Sequence, residues 1–411
     1  MKVLLINNFF YRKGGSESVF FNTANLLRDA GHEIIFFSYE DENNIHTKDH
    51  EYFVKRGGPL TKVRDYFYNP IAAKKLDFLL SMETPDVAHA HLFWGGLSPS
   101  IIKVLQKRHI PLVHTAHDYR MVCPAYLLTD GKGRFCERCK GNKFYQCTIN
   151  RCSKGSFIES LLMSVEMYYR NLKWHPVKCI DGFVFVSNFS KQKHIGFDKR
   201  FEKTNNIVLY NCPSREIKES FDLNKDTFNS FFLFYGRLSD EKGVSTLIRS
   251  FECYPQLKLK IVGAGPAESK LKAFCNKNGM DNVAFLGYKT GKELFDLVAT
   301  AKYVCVPSEC YENNPMTIVE SYSLGTPVIG ADIGGISEIV KDGETGYTFE
   351  SGSIDSLRKA LDKAVALNKD QYVIQKQNAY RFGEDNFSRT NYLERLIKFY
   401  EEIINKKKKK Y

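Results

Sequence analysis

An α/β protein of two doubly wound, Rossmann-like domains facing across a cleft is the fold this sequence predicts, and three observations lead to it. The chain has 411 residues, too many for one ordinary core. Short apolar strands alternate with helical stretches along almost all of it, the pattern of parallel sheets covered by helices on both faces. The alternation breaks once, after Asn211-Cys212-Pro213, and then restarts.

The first strand is Lys2–Asn7, followed by a loop with Gly14-Gly15. Val19, Phe20, Ala24 and Leu27 then recur at helical spacing up to Gly31-His32-Glu33, and Ile34–Ser38 is the next strand. Further strands are expected at Val87–His89, Leu112–Thr115, Gly182–Val186 and Ile207–Leu209. A polar stretch from Ser214 to Ser230 reads as a linker with one weak helix. The second series comprises strands at Phe231–Tyr235, Leu257–Val262, Val283–Leu286, Tyr303–Val306 and Pro327–Ile329, with a helix over Val244–Phe251. The expected division is 1–212, with a Cys-rich insertion at about 120–176, then 213–385, then a helix and basic tail over 386–411. In such folds ligands sit beyond the C-terminal ends of the strands.

Hydrophobic residues make up 43% of the chain and charged residues 26%, as in globular proteins. No apolar run approaches the ~18 residues of a membrane span. The opening MKVLLINNFF is too short for a signal peptide and reads as a buried strand, so a cytoplasmic location is expected. Net charge is +12, and residues 1–212 hold most of it, with 30 Lys and Arg against 20 Asp and Glu. Five lysines follow at Lys406–Lys410. A basic half suits an anionic partner such as acidic lipid headgroups or a diphosphate. No aromatic-basic recognition motif accompanies it, so nucleic acid is not expected.

The strip Pro307–Val328 carries the most chemistry. A strand ends near Pro307, a turn follows, and a helix begins near Pro315, expected at the first helical position. The amides of Met316 and Thr317 would then be open to an anion. Glu312 precedes the helix and Glu320 lies within it, so two carboxylates at different depths could accept hydrogen bonds from sugar hydroxyls, beside Asn313 and Asn314.

With these residues the strip resembles the donor motif of the family-4 glycosyltransferases of GT-B fold, whose two glutamates are separated by seven residues. Gly236-Arg237-Leu238 with Glu241-Lys242-Gly243 resembles the family's phosphate-clamp segment. Val262-Gly263-Ala264-Gly265-Pro266, Phe285-Leu286-Gly287, Gly334-Gly335-Ile336-Ser337-Glu338, Asp342–Gly346, Gly14–Glu17 and Gly31–Glu33 match in order. The resemblance implies that Arg237 and Lys242 hold a donor diphosphate, Glu312 the transferred sugar and Glu320 the ribose. It implies that Gly14 and Gly15 allow the first loop close approach to phosphate or acceptor and that Gly263 belongs to the donor site, although Gly263-Ala264-Gly265 by itself reads as a plain turn. It further implies retention of anomeric configuration and no metal in the transfer itself. His117, after the strand Leu112–Thr115, matches the position of a histidine near the leaving group, and Asp118 could orient it or the acceptor. His89 and His91 end an earlier strand, with structural and functional roles equally open. The implied partners are a nucleotide-sugar donor and a glycan or lipid-linked acceptor, in surface polysaccharide synthesis at the inner face of a membrane. The alternative is a non-catalytic sugar-nucleotide-binding protein. The glycines at Gly263 and Gly265 lack the third member of a dinucleotide fingerprint, because Glu268 stands there, which disfavours a dehydrogenase.

Cys123, Cys136, Cys139, Cys147 and Cys152 crowd one segment. The Cys136-x-x-Cys139 spacing is that of a zinc knuckle, and four of the five could complete a structural zinc site. A similar insertion occurs in a subgroup of the resembled family. Reduced, unligated thiols are the alternative. The following segment, Phe157–Trp174, reads either as an amphipathic helix touching membrane or a lipid-linked acceptor, or as a buried core helix.

Overall fold

The computed structural model describes residues 1–409. It separates into two compact units, Met1–Leu209 joined by the chain from Tyr392 onward, and Tyr210–Asn391. The sequence had placed the division at 212/213 and set the C-terminal helix apart. In the structure that helix, Arg389–Lys408, is part of the first unit from Tyr392 on. Lys410, expected in the basic tail, lies outside the described residues.

The first unit holds six parallel strands: β1 Lys2–Ile6, β2 Glu33–Phe37, β3 Val87–Ala90, β4 Leu112–Ala116, β5 Gly182–Phe185 and β6 Asn206–Val208. Their order is β2-β1-β3-β4-β5-β6, so the chain changes direction across the sheet between β1 and β3. All but the first residue of β1 and β2 are buried, as expected of strands covered on both faces. The C-terminal helix docks on this sheet. A Cβ at Gly182 would stand 2.8 Å from the Phe399 ring, and Tyr392 shares a 2.8 Å hydrogen bond with Thr23.

The second unit has six more: β7 Phe232–Tyr235, β8 Leu259–Val262, β9 Val283–Phe285, β10 Tyr303–Val306, β11 Val328–Ala331 and β12 Gly346–Phe349. The order is β12-β11-β10-β7-β8-β9, again parallel, with the change of direction between β7 and β10. Sequence reading missed β12, a four-residue strand that follows a turn directly. Its core joins Leu233, Val304, Ile318, Val328 and Leu361, all without solvent exposure. Both units are thus doubly wound, and in each the switch point marks where a ligand crevice forms. No helix among the described residues is long and apolar enough to cross a membrane.

Candidate functional site

The switch point of the second unit collects most of the residues singled out from the sequence. Arg237 and Lys242 follow β7, and the strip from Pro307 follows its neighbour β10. Lys242 ends a single 3-10 turn, Asp240–Lys242, whose first residues leave β7 through Ser239. Its ammonium reaches Glu312 Oε1 at 2.5 Å, and the Ser308 hydroxyl donates to the same oxygen at 2.9 Å. Glu312 is only 16% exposed at its side chain. Burial disfavours its charge, but Lys242 beside it outweighs burial and holds the carboxyl below its ordinary range. Glu312 in turn raises the Lys242 ammonium further, against burial. Both groups are therefore ionised at neutral pH. Arg237 is exposed and forms no ion pair among the described residues.

The backbone around Glu312 is held from behind. The Gly335 amide donates to Glu312 O at 2.6 Å. The approach is so close that a Cβ on Gly335 would fall 1.7 Å from Asn313 O. Asn313 is buried. Asn314 is tied to the chain entering this unit, since its Oδ1 accepts from the Asn211 amide at 2.7 Å and its carbonyl from Asn211 Nδ2 at 2.9 Å. Its side-chain oxygen is thus engaged in positioning the strip.

The helix runs over Met316–Ser323, with Pro315 as its N-cap and not its first residue as expected. Pro315 has extended ψ, and its carbonyl accepts from the Ile318 amide at 3.0 Å. Met316 and Thr317 then supply first-turn amides, which have no intrahelical acceptor. Glu320 sits one turn further on. The Tyr235 hydroxyl lies 3.0 Å from Glu320 Oε2 and 2.9 Å from Thr317 O, a contact between the end of β7 and the helix that sequence reading did not find. Gly263, at the end of β8, has φ +138 and would place a Cβ 1.9 Å from Gly236 O. Only glycine allows the ends of β7 and β8 to come so close. Cations, a carboxylate pair and helix amides thus share one end of one sheet, an arrangement suited to a phosphorylated, hydroxyl-rich ligand.

In the first unit, Gly14 caps and Gly15 begins the helix Gly15–Asp29 after β1. Beyond β4 stands His117, whose Nε2 lies 2.8 Å from Nδ1 of His91. The two rings stack at 5.0 Å. Burial lowers His117 to about 4 and takes His91 well below its ordinary value, so both are neutral near pH 7. The expected orienter, Asp118, is committed elsewhere: Arg120 donates to it from its amide at 3.0 Å and from Nε at 2.8 Å. His91, not Asp118, is the side chain that meets the His117 ring. It projects from the strand end beside β4 because β3 and β4 are parallel neighbours. His89 is structural, bonded to Tyr400 at 2.5 Å and to Thr115 at 2.7 Å. A cavity of about 450 Å³ in the same unit, lined by residues such as Phe10, Arg12 and Lys48, includes none of the residues predicted for the site.

The five insertion cysteines are free thiols. Cys147 and Cys152 lie close together, and Cys123 and Cys139 lie close enough to influence them. Burial pushes the Cys123 thiol up to about 12. Yet among the described residues no group of three or more His, Cys, Asp or Glu is placed to hold a metal ion. The spacing of Cys136 and Cys139 brings sulfurs into one neighbourhood without a formed ligand set.

Two family models match the chain, Glycosyltransferase Family 4 over residues 13–211 and Glycosyl transferases group 1 over residues 215–382. An uncharacterized glycosyltransferase of Methanocaldococcus jannaschii is 26% identical over 368 residues, 88% of this chain and 87% of the relative. The lipopolysaccharide 1,2-N-acetylglucosaminetransferase of Salmonella typhimurium is 28% identical over 42% of this chain and 48% of its own length. Among solved structures, Anabaena HepE in complex with UDP-glucose superposes with a TM-score of 0.70 at 18% identity, over 98% of this chain and 100% of its own.

Proposed function

We propose that this chain, which belongs to the family-4 glycosyltransferases of GT-B fold, moves a hexose from a nucleotide-diphosphate donor to a glycan or lipid-linked acceptor with retention of configuration. The observation that carries this reading is the Lys242–Glu312 pair at the β7–β10 switch point, beside the amides that open the helix Met316–Ser323. The likeness in fold to HepE, solved with UDP-glucose, supports a nucleotide sugar as donor.

In the proposed reaction the acceptor hydroxyl oxygen bonds to the anomeric carbon on the face the diphosphate leaves. The carbon–oxygen bond to phosphate breaks, a phosphate oxygen takes the acceptor's proton, and the nucleoside diphosphate departs. Lys242 and Arg237 stabilise the charge that develops on the leaving group. A diphosphate draws Lys242 from Glu312, and the released carboxylate accepts hydrogen bonds from the transferred sugar. Glu320, steadied by Tyr235, takes the ribose hydroxyls. Asn313, Asn314 and Pro315 shape the turn that presents Met316 and Thr317. His117, a neutral imidazole, donates to the diphosphate or sugar. Gly14 and Gly15 give the first loop its close approach, and Asp118, fixed by Arg120, belongs to the acceptor side. No metal takes part in the transfer. Synthesis of surface polysaccharide at the cytoplasmic face of a membrane is the setting that fits such acceptors.

Thermal-shift measurements with UDP-, GDP-, ADP- and CMP-linked sugars test the reading. Stabilisation by one nucleotide class is expected, because a ligand that binds only the folded state raises its melting temperature. Silence from all four would contradict it. A sugar nucleotide that binds without ever turning over with any acceptor would favour the non-catalytic alternative, against which the full set of Arg237, Lys242, Glu312 and Glu320 stands. Structural zinc in the insertion is a separate proposal, supported by the convergence of four cysteines and opposed by the lack of a formed set. Near-stoichiometric zinc in purified protein is the expected result, and metal-free protein would remove it.

A further inference from the structure

The helix Phe157–Lys173 in the insertion is amphipathic with its polarity reversed. The residues it buries are Ser160, Ser164, Glu166, Met167 and Arg170. Their polar groups bond inward, apart from the Arg170 Nε: Thr148 donates to Ser164 at 2.9 Å, the Ser153 amide to Ser160 at 3.0 Å, and Arg170 pairs with Glu166 at 3.0 Å and donates to Arg120 O at 2.9 Å. The outward face is apolar. Ile158 is 78% exposed and Leu172 80%, and Leu161, Val165 and Tyr168 are exposed between them. The spacing of these five follows one stripe of a helix, and Ile149, which ends the preceding helix, is exposed as well. An ordinary surface helix turns such a stripe to the core, so a contiguous one left in solvent marks an interaction surface.

Its charge identifies the partner. Between residues 143 and 173 the exposed charged side chains are Lys143, Arg151, Lys154 and Lys173 against the single acid Glu159. Arg151 and Lys154 stand just before the helix and Lys173 ends it. Apolar side chains framed by cations are the makeup of helices that lie in the headgroup layer of an anionic bilayer, apolar face down. We propose that this helix seats the protein on an anionic lipid surface through Ile158, Leu161, Val165, Tyr168 and Leu172. Seventeen residues lie along the surface and do not cross it. The inference rests on no part of the transfer reading.

Co-flotation of the full chain with vesicles tests it. Wild-type protein should bind vesicles of phosphatidylethanolamine with phosphatidylglycerol, bind those of phosphatidylcholine alone far less, and lose binding as salt rises. Ile158→Glu with Leu172→Glu should lower binding at least about tenfold with an unchanged melting temperature, since both side chains stand in solvent. Lys154→Glu with Lys173→Glu should weaken binding to the anionic vesicles only. Binding that survives the apolar pair of substitutions would place the contact elsewhere and overturn the proposal. So would wild-type protein that ignores all vesicles, whether it is monomeric or forms a dimer that those substitutions dissociate.

Discussion

Lys242→Ala is expected to lower the kcat of sugar transfer by about 10²–10³-fold, the usual cost of removing a preorganised group from developing charge. Its effect on stability should separate the two roles of this lysine. In the wild type, Glu312 is held below its ordinary value of 4.5 against burial, by Lys242. A depressed carboxylate contributes stability that is present above that ordinary value and lost as pH falls through the folded one. Without Lys242, only the Ser308 hydrogen bond opposes burial, the largest influence on this carboxyl, so the carboxyl rises and the folded state is penalised at neutral pH and relieved on acidification. The gap in melting temperature between wild type and Lys242→Ala should therefore narrow as pH falls from 7 toward 4. Adding Glu312→Gln should recover part of the stability, with a coupling of about 0.5–3 kcal/mol, while transfer stays lost. A gap that does not change with pH would mean that the pair is not formed in solution.

Gly335→Ala should be strongly damaging to the second unit through a single contact. Its φ of −74 suits alanine, so no backbone strain is involved. The added methyl would fall 1.7 Å from Asn313 O, and backbone cannot yield as a flexible side chain can. Displacing Asn313 also pulls Glu312 O from the Gly335 amide. A loss of about 1–3 kcal/mol is expected, the range for overpacking, with donor binding weakened because the carboxylate moves with its backbone. Gly196→Ala, where a Cβ meets nothing within 4 Å, is the control and should leave both unchanged. Equal melting temperatures for the two variants would refute the close contact.

Why some of this was legible in the sequence, and some not, follows from what each feature depends on. Strand β7 announces itself as an unbroken apolar run and the helix Val244–Phe251 through its apolar period. Strand β12, equally short, has glycine and threonine interrupting its apolar residues, Gly346-Tyr347-Thr348-Phe349. The strip around Glu312 was recognisable because its residues are contiguous. Its pairing with Lys242, seventy positions earlier, depends on β7 and β10 being neighbours, which strand order decides and no local pattern encodes. The same limit hid the contact of His91 with His117, which forms only through the pairing of β3 with β4. Asp118 looked like the natural orienter because it is adjacent in sequence, yet chain direction after β4 turns it to Arg120. Pro315 was misplaced by one residue, since a proline before a helix fits the cap as readily as the first turn. The segment Phe157–Lys173 showed its composition but not which face it buries, and its serines turned out to face inward.

In the proposed reaction the switch point of the second unit holds the diphosphate of a sugar nucleotide through Lys242. Calorimetric titration of wild type and Lys242→Ala with the nucleoside diphosphate of whichever donor stabilises the protein tests this most directly. Binding to the wild type that weakens by about tenfold or more in the variant is the predicted result, since one charged hydrogen bond contributes about 1.5–3 kcal/mol. Equal affinity in the two proteins would contradict it.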